Sequence, residues 1–389
     1  METRIGGGGD DPAELRWSVS SDGSRGWLFL TTYEPGSRPI DAQRGVQVTV
    51  EFEGCEVTVP SRPIDLPEGR SVVWPLMLEL GPGVLLRSAT AQFVTRLADA
   101  AGPLTVFAAT GGVPVEFVLD GQLSVAGAAT ASETDGATIV QLDRAPGPDT
   151  LIRLPGVRIL VVDEATADRL YRLEVAGRTC LVLCDVPVHA SGDVLVAHTE
   201  HPVASVSLFP APEELTSVDA LVSRSAGSGS PWTSWTVGVP SAGSRRVDVE
   251  VEPASGVLAK PRHGGPLSRL SAPTEFSAAQ RVRVRPPADA LVGVDRALLR
   301  IDWCGDVGRA LVGDEVLSDH YWHGRTWDVD LTEATDAVVR GGVTLELLPW
   351  RSDIGVWVHP AVRGIPDGVT VNTIEVVRVA RLELRPRWA

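Results

Sequence analysis

Hydrophobic and polar positions alternate along most of this chain with a period of two, the spacing of half-buried strands. Val46, Val48, Val50 and Phe52 alternate with Gln47, Thr49, Glu51 and Glu53. Val247, Val249 and Val251 alternate with Asp248, Glu250 and Glu252, and Val282 and Val284 with Arg281, Arg283 and Arg285. The cleanest case runs from Leu299 to Leu331. There Leu299, Ile301 and Trp303 point one way and Arg300 and Asp302 the other, and Trp327, Val329 and Leu331 alternate with Asp328 and Asp330. Between those ends, Gly313-Asp314 separates two short apolar runs and predicts a tight hairpin turn, since Gly accepts the positive φ that such a turn needs.

Short apolar runs recur at about 8–12 residue spacing with Pro and Gly between them, an all-β signature. Two helical patterns interrupt it. Ala89–Leu97 fits either a helix or another strand. VRILVVDEATADRLYRLEV, beyond Pro155, predicts a buried run followed by a short helix that Asp163 can cap. The fold class expected is all-β: consecutive antiparallel sandwiches ending in a jelly roll, with one or two short helices. Composition shifts place a mobile tail over 1–24, a sandwich over 25–125, a small β-rich domain with a short helix over 126–215, and the jelly roll over 216–389. Residues 224–245, with Trp232 and Trp235, read as a Gly/Ser/Pro loop.

Composition narrows the partners. At 389 residues the chain can bury a substantial core without staples. A net charge of −15 disfavours nucleic acid and anionic membranes, which select a basic footprint. No apolar run approaches the ~20 residues of a membrane helix, and METRIGGGGDDPAEL has no apolar core of a secretory signal. Four scattered cysteines do not make a disulfide scaffold. Cys180 and Cys184 lie four residues apart on a strand, a span of roughly 13 Å, beyond the roughly 7 Å Cα separation that a bridge tolerates. Free thiols and a cytoplasmic location follow.

Catalytic motifs are missing. There is no HExxH, GxSxG or GxxxxGK[ST], and GGGG at 6–9 joins no strand to a helix. His198 and His201, like His320 and His323, are three apart, which puts two strand residues on opposite faces and argues against a metal pair. Asp302, Asp306, Asp314, Asp319, Asp328 and Asp330 lack the pattern of a calcium loop and read as solvated turn acids. No catalytic residue, cofactor or metal is expected. The aromatic loop Tyr321-Trp322-His323-Gly324, beside Asp319 and Arg325, does combine an apolar wall with a few polar groups, the ordinary small-ligand recipe. Asp306, Asp319, Tyr321, Trp322 and Arg325 are therefore the candidate sugar contacts. The bland alternative makes Trp303 and Trp327 core, with Trp322 plugging the end of the sandwich.

The stretch IDWCGDVGRALVGDEVLSDHYWHGRTWDVDL resembles the C-terminal jelly-roll motif of glycoside hydrolase family 35 β-galactosidases, especially those of actinobacterial type. SAPTEFSAAQRVRV (271–284) resembles the segment preceding that motif. WLFLTTYEPGSRP (27–39), WPLMLELGPGVLLRSATAQFVTRL (74–97) and GGVPVEFVLDG (111–121) resemble the domain after the family's catalytic barrel. RILVVDEATADRLYRLEVAGRTCLVLCD (158–185) resembles the next one. The similarity runs in order over about 27–388, but no motif within it is catalytic. A (β/α)₈ barrel needs at least about 200 residues, and only 26 precede Trp27. The family's acid glutamate follows an Asn, whereas the one asparagine here, Asn372, precedes Thr373, so no residue inherits either carboxylate role of glycoside hydrolysis. The resemblance implies a non-catalytic accessory chain that packs against a family-35-type barrel. A free-standing galactoside-binding protein and a truncated, inactive fragment are the alternatives.

Overall fold

The structure is a computed structural model that describes residues 2–6, 15–33, 40–134, 136–225, 231–255, 263–264, 266–353, 358, 362 and 364–388. It is all-β, with three short helices among the described residues.

The first unit holds β1 (Glu2–Gly6), β2 (Arg16–Ser21), β3 (Gly26–Thr31), β4 (Gln43–Phe52), β5 (Cys55–Leu66), β6 (Ser71–Gly81), β7 (Val84–Ala89), β8 (Ala91–Asp99), β9 (Gly102–Ala109), β10 (Glu116–Asp120), β11 (Ala126–Gly127), β12 (Ala129–Thr134), β13 (Ala137–Leu142), β14 (Leu151–Leu154) and β15 (Val157–Val162). Its long sheet runs β1-β2-β3-β6-β7-β10-β13-β12 and its second runs β11-β14-β15-β9-β8, while β4 and β5 form a separate hairpin. The hairpin covers one end of the long sheet, over Leu28, Leu30, Val72, Trp74 and Leu76. The second sheet covers the other end, over Leu80, Leu86, Phe117 and Leu119. Strand β6 therefore feeds two separate cores. Residues of one parity stay on one face of a strand, so a strand that changes core needs a break in alternation. Met77 supplies it with φ 54. Opposite it, β10 skips Arg87 as its pairing passes from Ser88 to Leu86, the two-against-one count of a bulge. The hairpin is pinned from below by the buried Glu116, whose carboxylate accepts from the Ser61 N–H at 2.8 Å and the Ser61 hydroxyl at 2.6 Å.

The expected tail over 1–24 is not a tail throughout: β1 is the edge strand of the long sheet and β2 pairs with both β1 and β3. Ala91–Asp99 is a strand, which resolves the ambiguity over Ala89–Leu97 in favour of strand.

The middle unit opens with α1 (Glu164–Ala167), whose Thr166 N–H donates to Asp163 at 2.6 Å, the cap expected. It continues through β16 (Leu170–Val175), β17 (Arg178–Cys184), β18 (Val188–Ser191), β19 (Val194–Thr199), β20 (Val203–Phe209), β21 (Glu214–Thr216), β22 (Leu221–Arg224) and β23 (Thr233–Gly238). The last unit holds β24 (Gly243–Arg246), β25 (Val249–Glu252), β26 (His263–Gly264), β27 (Arg269–Leu270), β28 (Gln280–Val284), α2 (Ala288–Leu291), β29 (Arg296–Cys304), β30 (Val307–Val312), β31 (Glu315–Tyr321), β32 (Trp327–Asp330), α3 (Thr335–Gly341), β33 (Val343–Leu347) and β34 (Thr370–Arg387).

Strand β34 belongs to both. Its first half pairs with β29 and β24, facing the sheet β25-β28-β33-β30-β31 across the core of Leu299, Ile301, Trp303, Val282, Leu345 and Val376. Its second half pairs with β19 and β21, facing the sheet β16-β17-β20-β23-β22 across Val182, Val206, Val237, Leu382 and Leu384. The chain crosses between the two sheets of the last unit from β28 to β29, β29 to β30, β31 to β32, β32 to β33 and β33 to β34, the weave of a double-sheet jelly roll.

Pairing thus groups residues differently from composition. Segment 126–162 closes the first sandwich, and 221–238 joins the middle one through the β20–β23 ladder. Trp235 lies in that ladder and is buried, and Trp232 is buried just before it, so the Gly- and Ser-rich segment is not a loop throughout. Thr233 and Ser234 between the tryptophans are half-buried, and the Ser234 hydroxyl meets that of the buried Ser207 at 2.8 Å, so small polar residues fill strand positions that a composition reading assigns to a loop.

Two junctions hold the three units together. Between first and middle, the outer face of β8, β9 and β15 packs on the outer face of β17 and β20: Leu104, Val106, Leu160 and Val162 meet Leu181, Phe209 and Trp232. Each such buried side chain contributes about 1.5–3 kcal/mol. Between middle and last, the contacts beside β34 are polar. Arg300 lies 2.8 Å from both Glu200 and Asp328, and His198 Nδ1 lies 3.1 Å from Asp295.

Candidate functional site

The stretch 299–331 is built around three tryptophans. On β29, Leu299, Ile301 and Trp303 are buried and Arg300 and Asp302 are not. Trp303 packs against Trp327 at a ring-centroid distance of 6.1 Å. The glycines of Cys304-Gly305-Asp306-Val307-Gly308 follow from this. A Cβ on Gly305 would stand 2.5 Å from the Trp303 ring, and one on Gly308 3.0–3.1 Å from Leu347, Trp327 and Trp303. The chain between β29 and β30 must therefore pass flush against the indole, and only glycine allows that approach. The turn Gly313-Asp314 is the expected hairpin, with Gly313 at φ 61 and Val312 paired to Glu315.

Trp322 leaves the end of β31 and turns inward. Its Nε1–H donates to the Trp303 carbonyl at 2.6 Å, and its ring meets Trp350 edge to face at 5.9 Å. It plugs the end of the sandwich, as the bland reading has it. Asp306 is beside it: the Trp322 N–H donates to the Asp306 carbonyl at 2.9 Å, and the Asp306 N–H to the Leu348 carbonyl at 2.9 Å. The Asp306 carboxyl is half-buried, and burial pushes its pKa up.

Asp319 and Tyr321 go elsewhere. They share the opposite face of β31, pointing outward. Asp319 pairs across the ladder with Arg309, and Tyr321 with Val307. The row continues through Glu346, which takes Arg309 at 2.6 Å and Arg281 at 3.1 Å. Arg309 also lies over the Phe276 ring, 4.0 Å from its centroid. Arg325 is exposed in the loop between β31 and β32. The five candidate residues are thus divided: Asp306 and Trp322 close the end of the sandwich, Asp319 and Tyr321 stand on an outer sheet face, and Arg325 sits on the loop between. The row Arg281-Glu346-Arg309-Asp319 was beyond a sequence reading, because its members come from four strands and meet only through register. The alternation of arginines on β28 was its only trace.

His320 and His323 do not share a strand, so their odd spacing does not put them on opposite faces: β31 ends at Tyr321. His323, in the loop, folds back until its ring centroid is 5.1 Å from that of His320, with Nδ1 3.1 Å from the Tyr321 carbonyl. His320 stacks on Trp327 at 5.5 Å. Burial, and then the neighbouring His323, lower its pKa to about 4, so it is a neutral imidazole at pH 7. Its Nδ1 and the Nε1 of Trp303 are buried without a hydrogen-bond partner among the described residues. His198 and Glu200 of the HTEH segment serve the junction with the last unit, as given above. Among the described residues no group of three or more His, Cys, Asp or Glu can hold a metal ion, and no helix is long and apolar enough to cross a membrane. Neither a protein-family model nor a curated protein sequence matches the chain.

Proposed function

We propose that this chain is the non-catalytic accessory part of a β-galactosidase-like glycoside hydrolase, a scaffold that supports a family-35-type barrel in β-galactoside hydrolysis. The reading begins from the ordered resemblance over about 27–388. One structural observation carries it further. The residues of the most family-like stretch are consumed by architecture: Trp303, Trp322 and Trp327 are buried, and Gly305 and Gly308 are shaped by Trp303. A motif spent on packing identifies a structural domain, and the two junctions give such a domain fixed neighbours. A cytoplasmic location belongs to the same reading. Its support is four free cysteines, of which Cys180 and Cys184 are buried with thiol pKa values pushed up to about 11.

The test is co-expression with a family-35 barrel stripped of its own C-terminal sandwiches. Co-purification and recovered hydrolysis of a chromogenic β-galactoside are expected. Hydrolysis by the chain alone overturns the reading.

A free-standing galactoside-binding role has one observation in its favour, the 54% exposure of Tyr321 beside exposed Asp319 on one face of β31. Tyr321→Ala tests it without disturbing the core, whereas Trp322→Ala would remove a buried plug and report on folding.

A further inference from the structure

A half-open cleft of about 200 Å³ lies in the first sandwich, lined by Asp22, Arg25, Gly26, Trp27, Leu76 and Leu78. It forms at a step in the long sheet. Strand β3 begins only at Gly26, opposite Leu76, while β6 runs on past that point to Gly81. Leu78 is left without a β3 neighbour and is half-buried. The Trp27 indole makes one wall and is backed by Phe93, with ring centroids 5.9 Å apart.

The rim is a turn closed by its own hydrogen bonds. Asp22 Oδ1 accepts from the Ser24 N–H at 3.0 Å, the Ser24 hydroxyl at 2.9 Å and the Arg25 N–H at 3.0 Å, and Oδ2 accepts from Arg25 Nε at 2.9 Å. The Ser21 hydroxyl donates to the Arg25 carbonyl at 2.9 Å. Arg25 is thus held by its Nε edge. Its two outer amines have no partner among the described residues, and its side chain is 67% exposed. An aromatic wall, two leucines and a guanidinium fastened through its Nε at the rim together make the small-ligand recipe.

We infer that this cleft binds a neutral, hydroxyl-bearing ring of monosaccharide size, with its C–H face on Trp27 and its hydroxyls on the outer amines of Arg25. Charge selects against an anion, because Asp22 already neutralises Arg25 and stands beside it. Size selects a single ring: the volume is below the roughly 300–1,000 Å³ of drug-sized sites. The inference does not depend on the accessory role proposed above, since the cleft is remote in sequence from the jelly-roll loops and needs no barrel.

The experiment follows the indole N–H resonances of the full chain by NMR during titration with methyl β-galactoside, with sodium benzoate as a parallel arm. Trp27→Phe assigns the Trp27 signal. The expected result is a saturable shift of that signal, half complete at about 1–30 mM glycoside, lost in Arg25→Ala and kept in Tyr321→Ala. Arg25→Ala changes an exposed side chain, so an unchanged melting curve shows that its effect is on binding. No saturable shift up to about 100 mM, a shift that survives Arg25→Ala, or a response to benzoate alone overturns the inference.

Discussion

The two junctions between the units solve the same problem in opposite ways. The first is apolar and discontinuous: two sheet faces from separate units press Leu104, Val106, Leu160 and Val162 against Leu181, Phe209 and Trp232. The second is covalent and polar: one strand runs through both units, with Glu200-Arg300-Asp328 and His198-Asp295 beside it. Apolar contact is non-directional and scales with the area removed from water, so it resists salt and tolerates small changes of angle. Ladder hydrogen bonds fix register residue by residue, and the ion pairs beside them add little when half-exposed. The difference teaches that continuity of the backbone substitutes for a buried interface.

Breaking the apolar junction should have the largest effect. Leu181→Asp buries an unpaired carboxylate between the units and is expected to cost at least about 4 kcal/mol. Urea unfolding should then split into two transitions, the first unit melting apart from the rest. A single, unshifted transition would show that the faces do not depend on each other. Gly308→Ala leaves both junctions intact and pushes a methyl against Trp303 and Trp327. A loss of about 1–3 kcal/mol is expected, confined to the transition that includes the last unit.

Acid provides a milder probe of the same unit. His320 has a folded pKa of about 4, lowered from 6.5, so the native state binds fewer protons than the unfolded chain between those values. Its contribution is complete above about pH 6.5 and is lost as pH falls through about 4. Discounted for partial exposure, that is about 1–2 kcal/mol. His320→Phe should flatten this part of the stability–pH curve. An unchanged slope would assign it to other groups.

The smallest change is expected from Arg300→Leu, which leaves Glu200 and Asp328 facing each other without their cation. About 1 kcal/mol or less is expected at low salt, shrinking as sodium chloride is raised. A larger, salt-independent loss would mean that the polar pairs, and not β34, hold the second junction.

Where alternation is strict, strands were legible in sequence: β4, β28 and β29 lie where their apolar residues place them, and Asp163 caps its helix. Edge position was not. The valines of β25 have the same alternation, yet Val249 and Val251 are 39% and 51% exposed, because a strand's pattern is silent about whether a facing sheet reaches it. Unit membership was hidden for a related reason. Residues 221–238 are tied to the middle sandwich by pairing with β20, and the far end of β34 by pairing with β19, and such long-range register leaves no local mark. At the candidate site, the buried role of Trp322 was legible as one of two readings. The separation of Asp319 and Tyr321 from Asp306 and Trp322 follows from parity along β31, once its end at Tyr321 is known.

Strand β34 has a consequence for the order of assembly. Glu214 and Arg387, which it brings together, are 173 residues apart in the chain. Emerging from the ribosome, the middle unit's strands are exposed long before the strand that finishes their sheet exists, and the last unit waits for the same piece. Contacts of such sequence separation form slowly, and half-built sheets expose unpaired edges meanwhile. The first sandwich closes with Val162 and can fold early. The other two should mature together, in one late step, and share the same window of vulnerability to aggregation and proteolysis.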